Sequence, residues 1–88
     1  MHAVVVSVAI HDYDRANGHL HERVVPGAKQ APGFVAGYWA NIDKKQGRGM
    51  VVFESEENAQ NVANMLGDMN EESVTVESVE VAEVDASA

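Results

Sequence analysis

The chain has 88 residues, of which 45% are hydrophobic and 23% charged; that suits one small domain and leaves no room for a second. Six basic residues against fourteen acidic ones give a net charge of -8, which repels phosphate backbones and anionic membranes, so no nucleic-acid or membrane partner is expected. Cysteine is absent, which excludes a disulfide framework, a thiolate zinc site and a thiol nucleophile. The longest apolar run, Ala3 to Ile10, is broken by Ser7; it is too short to cross a bilayer and lacks the basic flank of a signal peptide. A cytoplasmic protein is expected, with one domain over residues 1–84 and a frayed tail over 85–88.

His2 to His11 (HAVVVSVAIH) is valine-rich and bounded by the polar stretch Asp12–Asp14, which predicts a strand. One of its faces carries Val4, Val6, Val8 and Ile10, the other Ala3, Val5, Ser7 and Ala9. Both are mostly apolar, so both sides should be covered. From Asp12 the spacing changes to Ala16, Leu20, Val24, Ala28, a helical stripe that Asp12 or Asp14 can cap. Pro26-Gly27 predicts a break near Val25, and Ala31-Pro32-Gly33 a loop.

Phe34 to Ile42 is the second predicted strand and Met50 to Glu54 the third, joined by the polar stretch DKKQGRG as a hairpin loop. Ser55 precedes Glu56 and Glu57, and Ala59, Val62, Ala63 and Leu66 follow at helical spacing. A second helix is therefore predicted, capped by Ser55 and stopped by a left-handed Gly67. Val74 to Val84 is the fourth strand. Val74 and Val76 have one parity, Val79 and Val81 the other, so either a bulge near Glu77 and Ser78 or a handover from one sheet partner to another is expected.

The order is βαββαβ, a ferredoxin-like α+β fold with a four-stranded antiparallel sheet and two helices on one face. Two helices leave the other sheet face bare. An apolar face of that extent calls for a homodimer joined sheet to sheet.

Segment PGFVAGYW (Pro32–Trp39) followed by VVFESEENA (Val51–Ala59), within a βαββαβ chain of this length, resembles the dimeric α+β barrel superfamily. Within it the resemblance is to small actinobacterial proteins near the antibiotic biosynthesis monooxygenase domain, over roughly Ala3 to Val84. It implies either a small apolar or aromatic molecule bound between sheet and helices, or cofactor-independent oxidation of an aromatic, quinol-like substrate. In the oxidation, the protein supplies an apolar pocket, orienting hydrogen bonds and a base. On that implication Tyr38 and Trp39 are candidate walls, Asn41 a candidate orienting donor, and His11 or His21 a candidate base; Trp39 and Asn41 share a strand face, and Tyr38 points the other way. Haem-degrading members ligate iron through a histidine on the second helix, whereas Ser55–Met69 contains none, so no cofactor is implied.

Two rival readings are weaker. An RNA-recognition motif has the same element order, but in Gln46–Phe53 the two base-stacking positions are Arg48 and Met50. A metal site from His2, His11, His19 and His21 lacks chelating spacing, since His19 and His21 lie about 200 degrees apart on a helix. No metal is expected. Met50, Met65 and Met69 are expected as core filler, and Glu71, Glu72, Glu77, Glu80 and Glu83 as a solvated edge that discourages strand pairing.

Overall fold

The computed structural model describes residues 1–69 and 71–88. Strand β1 (His2–Ile10) leads into a continuous helical stretch made of α1 (Tyr13–His19), a π-helical turn (Leu20–Val24) and α2 (Val25–Gln30). Strands β2 (Phe34–Ile42) and β3 (Gln46–Phe53), helix α3 (Glu56–Gly67) and strand β4 (Val74–Glu83) follow. The strands form one antiparallel sheet in the order β2-β3-β1-β4. Both helical stretches cover the same face, the ferredoxin-like arrangement expected from the element order.

The helical stretch does not break at Val25. Proline deletes an amide donor and collides with the carbonyl four residues before it, but here the Val25 N–H reaches back five residues to the Leu20 carbonyl. This wider turn resets the register, so Pro26 falls in the first turn of α2, where its missing N–H costs nothing. Asp12 caps α1, its carboxylate accepting the Arg15 N–H at 3.2 Å.

Strand β3 begins at Gln46, four residues before the predicted Met50. The loop shrinks to a tight turn in which Asp43 and Lys44 both take positive φ (54° and 60°) and the Lys45 N–H donates to the Ile42 carbonyl at 3.0 Å. Twisted hairpins favour such two-residue turns. Gly47 and Gly49, expected in the loop, therefore lie inside a strand. Ser55 caps α3 as predicted, accepting the Asn58 N–H at 3.1 Å. The helix runs through Gly67 to a right-handed cap at Asp68, so Gly67 is not the left-handed stop.

Of the two ways to reconcile the valine parity, β4 takes the bulge, since it pairs with β1 along its whole length. Ser7 pairs with Ser78 and Val8 with Val76, leaving Glu77 as the extra residue. Val74, Val76, Val79 and Val81 thereby stand opposite Ile10, Val8, Val6 and Val4, all on the helix-covered face. The core gathers at one end of that face around Val4, Val51, Phe53, Ala59 and Ala63. The Phe34 and Phe53 rings meet edge to face there, with centroids 6.3 Å apart. Met50 and Met65 are exposed rather than core filler, Met65 to 73%.

The opposite face is bare. Register places Tyr38, Met50 and Val5 side by side across β2, β3 and β1, with Ile42 on the same face. All four are exposed, Tyr38 to 75%. No helix among the described residues is long and apolar enough to cross a membrane.

Deleting Glu77 removes the extra residue and gives Val74, Val76, Val79 and Val81 one parity, so all four stay on the helix-covered face in a regular strand. The unfolding free energy is expected to change by no more than about 1 kcal/mol, read as a nearly unchanged urea midpoint at unchanged slope.

Candidate functional site: an apolar cavity between sheet and helices

At the end of the sheet away from the core, a cavity of ≈190 Å³ opens between the strands and the first helical stretch. Its floor comes from β3. Gly47 and Gly49 occupy consecutive inward positions, beside Asn41 and Trp39 of β2 and Val8 and Val6 of β1. Ala40 and Arg48 point to the bare face by register, so what they offer the cavity is backbone. Val6, Val8, Ile10, Val51 and Val74 complete the sheet side, and Ala16, Leu20, Val24, Val62 and Leu66 the helix side.

Trp39 depends on the glycines around it. A Cβ on Gly37 would come within 2.6 Å of the indole Cη2. One on Gly49 would stand 3.1 Å from Cδ1 and 2.8 Å from Val6 Cγ1. The indole thus lies flat on bare backbone and forms a cavity wall. A Cβ on Gly47 would press on Val8 Cγ2 at 2.7 Å, so β1 side chains lean into the space the glycines leave. The roof is loosely held: α3 packs on β1, β3 and β4 and α2 touches β2, whereas α1 and the π turn stand off the sheet across the cavity. π turns inside α-helices recur at functional sites.

The polar side chains at the cavity are Tyr13, Asn17, His19 and Asn41. Asn41 has a second task, its Oδ1 accepting the Lys44 N–H at 3.0 Å in the hairpin turn. Its amide group remains as a donor. The Lys44 ammonium lies 5.1 Å from the centroid of the Tyr13 ring, a cation–π contact that closes one end. At His19, Nδ1 lies 4.0 Å from Glu71 Oε2. Glu71 also faces Arg15 Nε at 3.2 Å and accepts the Ser73 N–H at 3.2 Å. The Ser73 amide first, and the Ser73 hydroxyl after it, hold the Glu71 carboxyl below the usual glutamate range against an opposing effect of burial, with smaller lowering effects from Arg15 and His19.

Of the residues singled out from sequence, Trp39 and Asn41 line the cavity together, while Tyr38 lies on the bare face. His11 is exposed at the end of β1, with Nε2 2.7 Å from Thr75 Oγ1. His21 is exposed on the π turn. Neither lines the cavity. His19 does, and sequence reasoning passed over it because it was weighed only as a metal partner of His21. Its signal was the helical stripe itself: His19 adjoins the inward Leu20 and lies three residues from Ala16.

A comparison with solved structures finds the haem degrader MhuD from Mycobacterium tuberculosis, in a structure with two haems bound in its active site. The TM-score is 0.54 and the identity 21%, over 97% of this chain and 98% of that one. The shared fold is the ferredoxin-like α+β arrangement. At this identity the likeness shows the fold alone. No family model matches the sequence, and no curated protein does.

The cavity does not fit a haem. Its ≈190 Å³ is too small for a macrocycle of haem's size. Helix α3 offers it Val62 and Leu66, neither of which can ligate iron. Arg15, beside the cavity, is already paired with Glu71 and Glu72 and is not free for propionates.

Gly49→Ala is expected to push the indole off the floor, costing about 1 to 3 kcal/mol and shifting emission of the single tryptophan to the red. Glu71, with a folded pKa below its unfolded value, contributes stability that is complete above the unfolded pKa and is lost as pH falls through the folded one. Urea midpoints across about pH 3 to 7 should show Glu71→Gln less stable than the native chain near neutrality, with the difference vanishing in acid.

Proposed function

We propose that the protein binds a small, flat, largely apolar molecule in the cavity between the sheet and the first helical stretch. The observation that carries this is the floor: two inward glycines on β3 leave a hollow that Trp39 walls and aliphatic side chains line. A domain this small gains stability by filling such space, since each buried methylene contributes about 0.8 kcal/mol. Keeping it open is costly unless a ligand occupies it. Tyr13, Asn17, His19 and Asn41 give the few polar contacts that orient a ligand in an otherwise greasy site.

The binding unit in this reading is a homodimer joined through the bare face. The exposed row Tyr38–Met50–Val5 with Ile42 supports it. Within the sheet that face bears Arg48 and, by register, Glu80, so a twofold pairing can set opposite charges against each other. Edge pairing is the poorer route, because β4 is an edge strand carrying Glu77, Glu80 and Glu83.

A second reading, oxidation of an aromatic substrate without cofactor, draws on His19 backed by Glu71 beside the cavity. A base there could take a proton from an activated ring CH2. Dioxygen then places one oxygen atom on that carbon and leaves with both hydrogens as water, so atoms and electrons balance. Oxygen uptake that is indifferent to chelators and lost in Asn41→Ala would favour it; a tight complex without turnover would favour binding alone.

The test of the main reading is calorimetric titration with naphthalene. Saturable binding with Kd on the order of 10 to 100 μM is expected, and Ala16→Leu, which fills the space from the helix side, should abolish it while circular dichroism stays unchanged. Equal binding by that variant would sink the reading. Sedimentation should show a dimer that Met50→Glu converts to monomer.

A further inference from the structure

Resting on the reading of the cavity as a ligand site, we infer that His19 selects a neutral aromatic ligand carrying a hydroxyl group, which donates its hydrogen bond to His19 Nε2. Three observations combine. First, His19 lines the cavity from the roof, among mostly aliphatic walls whose other polar side chains are Tyr13, Asn17 and Asn41. Second, a carboxylate stands behind it, with Glu71 Oε2 4.0 Å from Nδ1. A carboxylate in that position favours the tautomer with its proton on Nδ1, which leaves Nε2 with a lone pair. Among the described residues, no side-chain hydrogen bond engages Nε2 of His19. Third, the surroundings oppose an anion. The chain carries a net charge of -8; Arg15, the cation beside His19, is held by Glu71 at 3.2 Å and Glu72 at 3.3 Å, and the Lys44 ammonium is engaged on the Tyr13 ring at the hairpin end.

A carboxylated aromatic would meet this field as a like charge in a poorly solvated site. A bare hydrocarbon would leave the imidazole lone pair unpaired when it displaces water. A phenol or enol meets both conditions, because its hydroxyl is a strong donor and the ligand stays uncharged. Glu71 acts through His19 as a positioning residue, and the Ser73 N–H and Arg15 keep it ionised for that task.

The experiment compares naphthalene, 2-naphthol and 2-naphthoate by calorimetry on the native chain, His19→Leu and Glu71→Gln. The native protein is expected to bind 2-naphthol about tenfold more tightly than naphthalene, the ratio of one well-formed hydrogen bond, and 2-naphthoate most weakly. His19→Leu should erase the preference for the hydroxyl, so that naphthalene and 2-naphthol bind with equal affinity. Glu71→Gln should reduce that preference to about threefold, a ratio that a merely structural role for Glu71 would not move. Equal affinity for naphthalene and 2-naphthol, a preference that survives His19→Leu, or tightest binding of 2-naphthoate would overturn the inference while leaving the cavity reading intact. Failure of all three probes to bind would remove the cavity reading and this inference together.

Discussion

The missing side chains of Gly47 and Gly49 govern the rest of this structure. In a four-stranded sheet covered by helices on one face, inward positions of a central strand are normally filled, because interiors are packed to crystal density. Here β3 presents bare backbone at two successive inward positions, and the molecule arranges itself around that gap. The indole of Trp39 lies down into part of it, Val6 and Val8 lean in from β1, and what remains is the cavity. The dense core is displaced to the other end of the sheet, where Val51 and Phe53 of the same strand meet α3. One strand thus changes from packing to accommodation along its length, and its glycines mark the changeover.

The roof follows from the floor. With nothing rising from Gly47 and Gly49 to meet them, α1 and the π turn have little sheet to rest on. They are held at their margins instead: by the Lys44–Tyr13 contact at the hairpin end, and by Arg15 and His19 reaching Glu71 near the start of β4. Polar contacts at the rim replace apolar contacts across the middle. An element anchored in this way opens at lower free energy than the core does. The π turn has a second part here, since it lets the helical stretch pass Pro26 and keeps Val24 on the cavity side.

The bare face and the cavity are two answers to the same shortage of chain. Eighty-eight residues supply helices for one side of the sheet only, so the other side shows Tyr38, Met50 and Val5 to the surroundings. The strand that produces the hollow also feeds this face, because alternate residues of β3 point each way. Gly47 and Gly49 lie inward while Arg48 and Met50 lie outward, and this alternation gives the two faces of one strand distinct chemistry.

By itself, the sequence determined the order of elements, the capping of α3 by Ser55, the parity mismatch in β4 and the opposite facing of Trp39 and Tyr38. Each of these depends on local pattern: period, parity, or a side chain within reach of its own backbone. Tertiary structure alone decided that Gly47 and Gly49 belong to a strand and not to a loop, because pairing with β1 and β2 imposes extension on residues whose own preference is for turns. It decided that Pro26 is bypassed through a π turn. It also decided that His19, and neither His11 nor His21, stands at the cavity with Glu71 behind it, since those two residues are far apart in sequence and only the closing of the sheet under the helix brings them together.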